Sequence, residues 1–155
     1  MDPIRIGLIS DTHGLLRPQA IRALQGVDRI IHAGDIGSPQ ILEQLGRIAP
    51  VVAVRGNNDQ GAWADALPAA EMIEIGGVSL YVLHDLNELG NDSKTAGAQI
   101  IISGHSHRPS IKTQDGILFV NPGSAGPRRF TLPVSLACLE IIDGKAAAVI
   151  QTLNL

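Results

Sequence analysis

IRIGLIS at residues 4–10 runs straight into Asp11-Thr12-His13, and RIIHA at residues 29–33 runs straight into Gly34-Asp35. Both runs are apolar at successive positions, the pattern of a strand covered on two faces. Leu15 to Gln25 lies between them and carries Pro18 near its start, where a helix tolerates proline. The stretch reads as β-α-β, a unit that sets its strands parallel. In an open α/β sheet the carboxyl ends of the strands share one edge. Asp11, His13 and Asp35 are therefore expected side by side.

Reading outward, Ile4–Ser10 and Val27–Ala33 are the first two strands and Val51–Val54 the third. Ser38-Pro39 predicts an N-cap and a first-turn proline, and Ile41, Leu42, Leu45 and Ile48 then recur at helical spacing. The remainder is mostly β. Met72–Ile75 and Val78–Leu83 flank Gly76-Gly77, a two-residue hairpin signal. Ile100–Ser103 is a short buried run, Ile111–Thr113 and Ile117–Val120 flank Asp115-Gly116, and Val134–Ile142 and Ala146–Leu153 flank Asp143-Gly144-Lys145. A helix is read between Leu86 and Gln99, weakened by Gly90 and Gly97. Parallel βα units followed by hairpins predict two packed sheets with helices outside, and the whole chain, residues 1–155, reads as a single domain.

Composition narrows the function classes. Hydrophobic residues make up 45 % of the chain and aromatics 3 %, so the core is aliphatic. A net charge of −3 and the scarcity of rings disfavour nucleic acid as a partner. Cys138 is the sole cysteine, which rules out an intrachain disulfide and a thiolate zinc cluster, and its apolar neighbours predict a buried small hydrophobe. The start of the chain lacks the basic and apolar segments of a signal peptide, and no run approaches the ~20 apolar residues of a membrane helix. A soluble, cytoplasmic protein is expected.

Five strand-like runs each end in a polar cluster: Asp11-Thr12-His13, Gly34-Asp35, Gly56-Asn57-Asn58-Asp59, His84-Asp85 and Gly104-His105-Ser106-His107. Each has an ordinary reading, since Gly-Asp and Asn-Asn-Asp are common turn chemistry. Read as extended chain, Asp11 and His13 point the same way, as do His105 and His107. Carboxylate, amide and imidazole ligands without thiolate suit Mn, Fe, Zn, Co or Ni better than Ca or Mg.

The order Asp-x-His, Gly-Asp, Gly-Asn-x-Asp, His, Gly-His-x-His resembles the calcineurin-like metallophosphoesterases. IHAGD, VRGNND, GHSH and NPGSAGPR look most like its small prokaryotic phosphodiesterases. The resemblance spans Ile4 to about Arg128. It implies an α/β fold, a four-layer α/β/β/α sandwich of two mixed sheets flanked by helices. It also implies two divalent metal ions, manganese foremost, with Ni, Fe, Zn or Co as alternatives. Asp11, His13, Asp35 and His107 would bind the first ion; Asp35 would bridge to the second, completed by Asn57, His84 and His105. A hydroxide shared by the ions would attack a small phosphodiester, or a phosphomonoester by a similar mechanism. A non-catalytic scaffold on the same fold is the alternative reading, disfavoured because every ligand position is filled. Relatives often form homo-oligomers, although no interface stripe is legible here.

Two positions depart from the wider family. Asn58 stands where many relatives carry a histidine thought to protonate the leaving group, and an amide cannot act as that acid. Asp85 follows His84 where glycine is common, and reads as the start of a turn. Arg128, after Asn121-Pro122-Gly123-Ser124, is expected to grip the ester bidentately. Arg55 and Arg108 are weaker candidates for that role. His32 is read as a hydrogen-bonded core histidine and Trp63 as core cover.

Overall fold

Short aliphatic runs, each too short to stand alone, zip into two five-stranded sheets. The computed structural model describes residues 2–90 and 97–155. In the first sheet β1 (Ile4–Ile9), β2 (Arg29–His32) and β3 (Val51–Ala53) are parallel. The C-terminal hairpin, β9 (Ser135–Ile142) and β10 (Lys145–Thr152), extends that sheet antiparallel, giving the order β10-β9-β1-β2-β3. The second sheet runs β4-β5-β6-β8-β7, from β4 (Ala70–Ile75), β5 (Val78–Leu83), β6 (Ile100–Ile102), β7 (Ser110–Gln114) and β8 (Ile117–Asn121). Its central strands β5, β6 and β8 are parallel and its edges antiparallel, so both sheets are mixed as expected.

Alternation along the strands builds the layers. Ile6, Leu8 and Ile31 of the first sheet meet Leu80, Val82, Ile100, Ile102 and Val120 of the second in a dry inter-sheet core. On the far side of the first sheet, Ile9 and Ile30 pack with Ala20 and Leu24 beneath α1 (Pro18–Ala23) and Ile41 and Leu45 of α2 (Pro39–Gly46). Leu83, Ala98 and Ile101 form a small cluster on the outer face of the second sheet. The helix read between Leu86 and Gln99 falls partly on residues 91–96, outside the described residues. Its described start is a single 3-10 turn, Leu86–Glu88.

Several local expectations are corrected. The first helix begins at Pro18 rather than Leu15, because a residue before proline is pushed out of helical space; Arg17 sits there at ψ 145°. Ser38 occupies the N-cap of α2, but its side chain makes no cap hydrogen bond. A short helix, α3 (Ala62–Asp65), was not legible; its Trp63 packs onto the helix-side core, as read. Cys138 is only half-buried. It pairs in register with Val149, which is 65 % exposed, so the outer face of the C-terminal hairpin is open there. Among the described residues no helix is long and apolar enough to cross a membrane.

Candidate metal centre

The polar loops leaving β1, β2, β5 and β6 are tied to one another by backbone hydrogen bonds. Asp11 N donates to Gly34 O at 3.0 Å, His13 N to Asp35 O at 2.9 Å and Gly14 N to Ile36 O at 2.8 Å. Gly104 N donates to His84 O at 2.9 Å. The two sheets are joined at this edge by His105 N, which donates to Asp11 Oδ2 at 3.1 Å.

Asp11, His13, His105 and His107 are not on extended chain. Their φ angles are 55°, 47°, 71° and 63°, and Asp35 adopts 55°. The backbone has left β1 at Ile9 and β6 at Ile102 and folds back over the sheet edge, which takes left-handed residues. Asp and His enter that region more readily than most residues with a Cβ. The pairs converge all the same. Asp11, His13 and His107 each offer one atom, all within 4.8 Å of one another, and Asp35, His84 and His105 form a second such group. The groups adjoin: Asp35 Oδ2 lies 3.7 Å from His13 Nε2 and 3.2 Å from His84 Nε2.

The unpaired atoms test whether a cation fits. Asp11 Oδ2 accepts from the Ser10 hydroxyl at 2.8 Å and from His105 N. Asp11 Oδ1, His13 Nε2 and His107 Nδ1 are buried without a hydrogen-bond partner. Leaving a buried polar atom unpaired costs about 1–3 kcal/mol. A cation bound here would satisfy Asp11 Oδ1 and His13 Nε2, which lie 3.8 Å apart, with His107 Nε2 3.4 Å from the same Asp11 oxygen. The donor set, oxygen and imidazole without sulfur, fits a borderline divalent ion.

Local hydrogen bonds set the charge states. His84 Nδ1 lies 2.8 Å from Ala33 O, so that nitrogen carries a proton and Nε2 is the atom turned toward the cluster. Burial opposes protonation of His84, but the hydrogen bond to Asp35, the charges of Asp11 and Asp35 and the Ala33 carbonyl outweigh it, and its pKa is raised. Burial favours neutral Asp35. Hydrogen bonds from His84 and Asn58 N, with the charges of His84 and His13, win and hold its carboxyl far below the usual range. Burial lowers the pKa of His107, aided by Arg129 and His13 against the pull of Asp11.

Other expected residues fall as follows. Asn57 is exposed and lines a cleft of about 360 Å³ with Arg55, His84, Asp85, Glu88 and His105. Asn58 clamps Asp35, its N to Oδ1 at 2.9 Å and its Nδ2 to Oδ2 at 3.1 Å. Arg55 is committed to the Leu67 carbonyl at 3.0 Å. Asp85 Oδ1 accepts from Asn87 N at 3.0 Å, the turn that was read, while Oδ2 stands 3.7 Å from His105 Nε2. Arg128 is exposed, and it is the neighbouring Arg129 whose charge is felt at His107. Two adjacent arginines give no sequence signal for choosing between them. His32 is buried and hydrogen-bonded, as read.

Asp59 carried no assigned role. It is buried and accepts from Ile36 N at 2.9 Å, Gly37 N at 3.0 Å and Gly56 N at 2.9 Å. It thereby locks the Asp35 loop to the Asn57 loop. A carboxylate ending a Gly-Asn-x-Asp cluster was the only hint, and it reads equally well as a turn.

Comparison with known proteins agrees with this geometry. The sequence matches the calcineurin-like phosphoesterase superfamily domain over residues 4–144. A protein of Methanothermobacter thermautotrophicus named "probable metallophosphoesterase" is 37 % identical over 161 residues, covering 95 % of this chain and 92 % of that one. A phosphodiesterase of Methanocaldococcus jannaschii is 27 % identical over 139 residues, covering 77 % and 83 %. The crystal structure of a Streptococcus pneumoniae protein described as a predicted phosphoesterase superposes with TM-score 0.74 at 28 % identity, covering 98 % of this chain and 91 % of that one. Two mixed sheets, a clustered set of carboxylates and imidazoles at their shared edge and a match along most of the length converge on one assignment: the chain belongs to the calcineurin-like phosphoesterase superfamily.

Proposed function

We propose that this protein is a phosphodiesterase that works with two divalent metal ions. The observation that carries the reading is the trio of Asp11, His13 and His107, each with a buried polar atom lacking a hydrogen-bond partner among the described residues, with a second trio of Asp35, His84 and His105 beside it. Asp35, whose Oδ2 approaches His13 of one trio and His84 of its own, would be the carboxylate shared between the ions. Asn57, which lines the cleft with His84 and His105, would complete the second ion's ligands. When bound, the ions supply Lewis acidity toward the phosphoryl oxygens and activate a water for in-line attack.

The chain's own groups do the rest. Ala33 O fixes the His84 tautomer. Asn58 holds Asp35 by two hydrogen bonds, so its part in catalysis is to position the bridge rather than to give up a proton. Arg128 and Arg129 are the candidate cations for a phosphoryl oxygen, the charge of Arg129 being felt at His107. Two divalent ions against two carboxylates leave the centre positive, which suits a singly charged diester.

Protein treated with EDTA should be inert toward bis-p-nitrophenyl phosphate and should recover turnover with Mn²⁺ or Ni²⁺. Failure of every divalent ion to restore turnover would leave the scaffold reading in its place. Imidazoles bind metal only when neutral, so activity should also decline as pH falls below about 6.

A further inference from the structure

A second cavity opens on the other side of the loop that carries His105 and His107. It measures about 610 Å³, within the range of small-molecule sites, and none of the seven expected metal-ligand residues lines it. Ser106 and Arg108, the residues on either side of His107, form part of its wall. Lys112 stands directly opposite Phe119 across β7 and β8, so the two share a sheet face. Both line the cavity, together with Leu86 and Leu132.

Three features define what would bind. First, no acidic residue lines the cavity among the described residues, although the chain as a whole has a net charge of −3. Second, Arg108 and Lys112 are exposed, and among the described residues neither has a carboxylate within 4.0 Å. Third, the wall contains one of the chain's few aromatic rings beside two leucines. Two cations with no carboxylate partner among the described residues ask for an anion, and a half-buried phenyl ring in a wall that also holds two leucines asks for a flat apolar body. Ser106 and Ser110 add hydroxyl groups to the lining, and Asn121, bonded to Gly104 O and the Ser106 hydroxyl, braces that wall.

We propose that this cavity is a second ligand site, separate from the metal centre, for a nucleoside monophosphate. The base lies against Phe119 and the phosphate dianion sits between Arg108 and Lys112. Binding there needs no metal ion and does not depend on the phosphodiesterase reading.

The test is calorimetric titration of AMP into the full-length protein before and after EDTA, with adenosine and inorganic phosphate as separate arms. AMP should bind with unchanged affinity after EDTA, and adenosine or phosphate alone should bind at least about tenfold more weakly, as loss of one charge-assisted contact or one stacked ring requires. Lys112→Glu and Phe119→Ala should each weaken AMP binding to the EDTA-treated protein by about tenfold or more. Phe119→Ala removes a partly buried ring, so circular dichroism should accompany it; Lys112→Glu, at an exposed position, carries the result if that variant fails to fold. AMP affinity that vanishes with EDTA, that ignores Lys112→Glu, or that is weaker than about 1 mM overturns the proposal.

Discussion

His32 shows how much a single buried side chain settles here. Gly34 N donates to its Nδ1 at 3.1 Å, so the proton sits on Nε2, which donates to the Thr12 hydroxyl at 3.0 Å; that hydroxyl donates to Ile36 O at 2.8 Å. This chain of hydrogen bonds ties the Asp11–His13 loop to the Asp35 loop from within. Burial, with the charges of His84 and His13 against that of Asp35, lowers the His32 pKa to about 3. As pH falls through about 6.5 only the unfolded chain takes up this proton, so stability drops, and the loss stops growing near pH 3. Between pH 7.5 and 5 this one group should remove about 2 kcal/mol. Urea unfolding of wild type and His32→Gln at the two pH values measures it; an equal loss in both proteins would refute it.

Asp59 and Asp35 separate support from chemistry. Asp59→Ala strands two buried backbone donors, Ile36 N and Gly56 N, and a more exposed one, Gly37 N, and should destabilise the protein by about 2 kcal/mol or more. Asp35→Ala removes the proposed shared ligand, and turnover of bis-p-nitrophenyl phosphate should fall by more than about 100-fold. Asn58→Ala, which only loosens that ligand, should cost about 10- to 100-fold in metal affinity by calorimetry. The metal-ligand candidates were legible because Asp, Asn and His clusters recur after apolar runs. Asp59 and Arg129 were not, because hydrogen bonding to a loop from another strand, or a charge reaching into a site, leaves no periodic trace in sequence.

At the scale of elements, strands were easier to read than loops. β5 (Val78–Leu83) has the expected bounds, and most other strands differ by a residue or two at their ends, where pairing rather than hydrophobic pattern decides the limit. The conformation of the ligand loops was misread, because strand alternation stops where the last ladder partner is lost. Instead the loops are packed backbone against side chain. A Cβ at Gly56 would collide with the backbone nitrogen and Oδ1 of Asp35, whereas one at Gly46, near the end of α2, meets nothing within 4 Å. Gly56→Ala should therefore cost about 1–3 kcal/mol and displace Asp35, while Gly46→Ala should be neutral or stabilise by up to about 1 kcal/mol. Thermal melts of the pair would show a clear difference; similar melting points would contradict the close approach.

For the whole molecule, the inter-sheet core decides whether the two trios face each other. One trio hangs chiefly on the first sheet and the other draws two members from the second, so their spacing is set by the aliphatic layer between the sheets. Leu80 is fully buried in that layer, and Leu80→Ala should cost about 2–5 kcal/mol in urea unfolding. The two-sheet architecture was legible from the order of βα units and hairpins. The relation between the sheets was not, since side chains that meet across a core share no sequence spacing.

The left-handed turns at Asp11, His13, Asp35, His105 and His107 hold a conformation the chain pays for by itself, at roughly a kilocalorie apiece or more. What retains them is a lattice of amide and carboxylate contacts supplied by the chain itself. A cradle drawn taut in this way keeps its outline whichever guest it receives. One ion can then be traded for another without the polypeptide coming apart, and the occupant found in a given preparation will mirror what the surroundings offered.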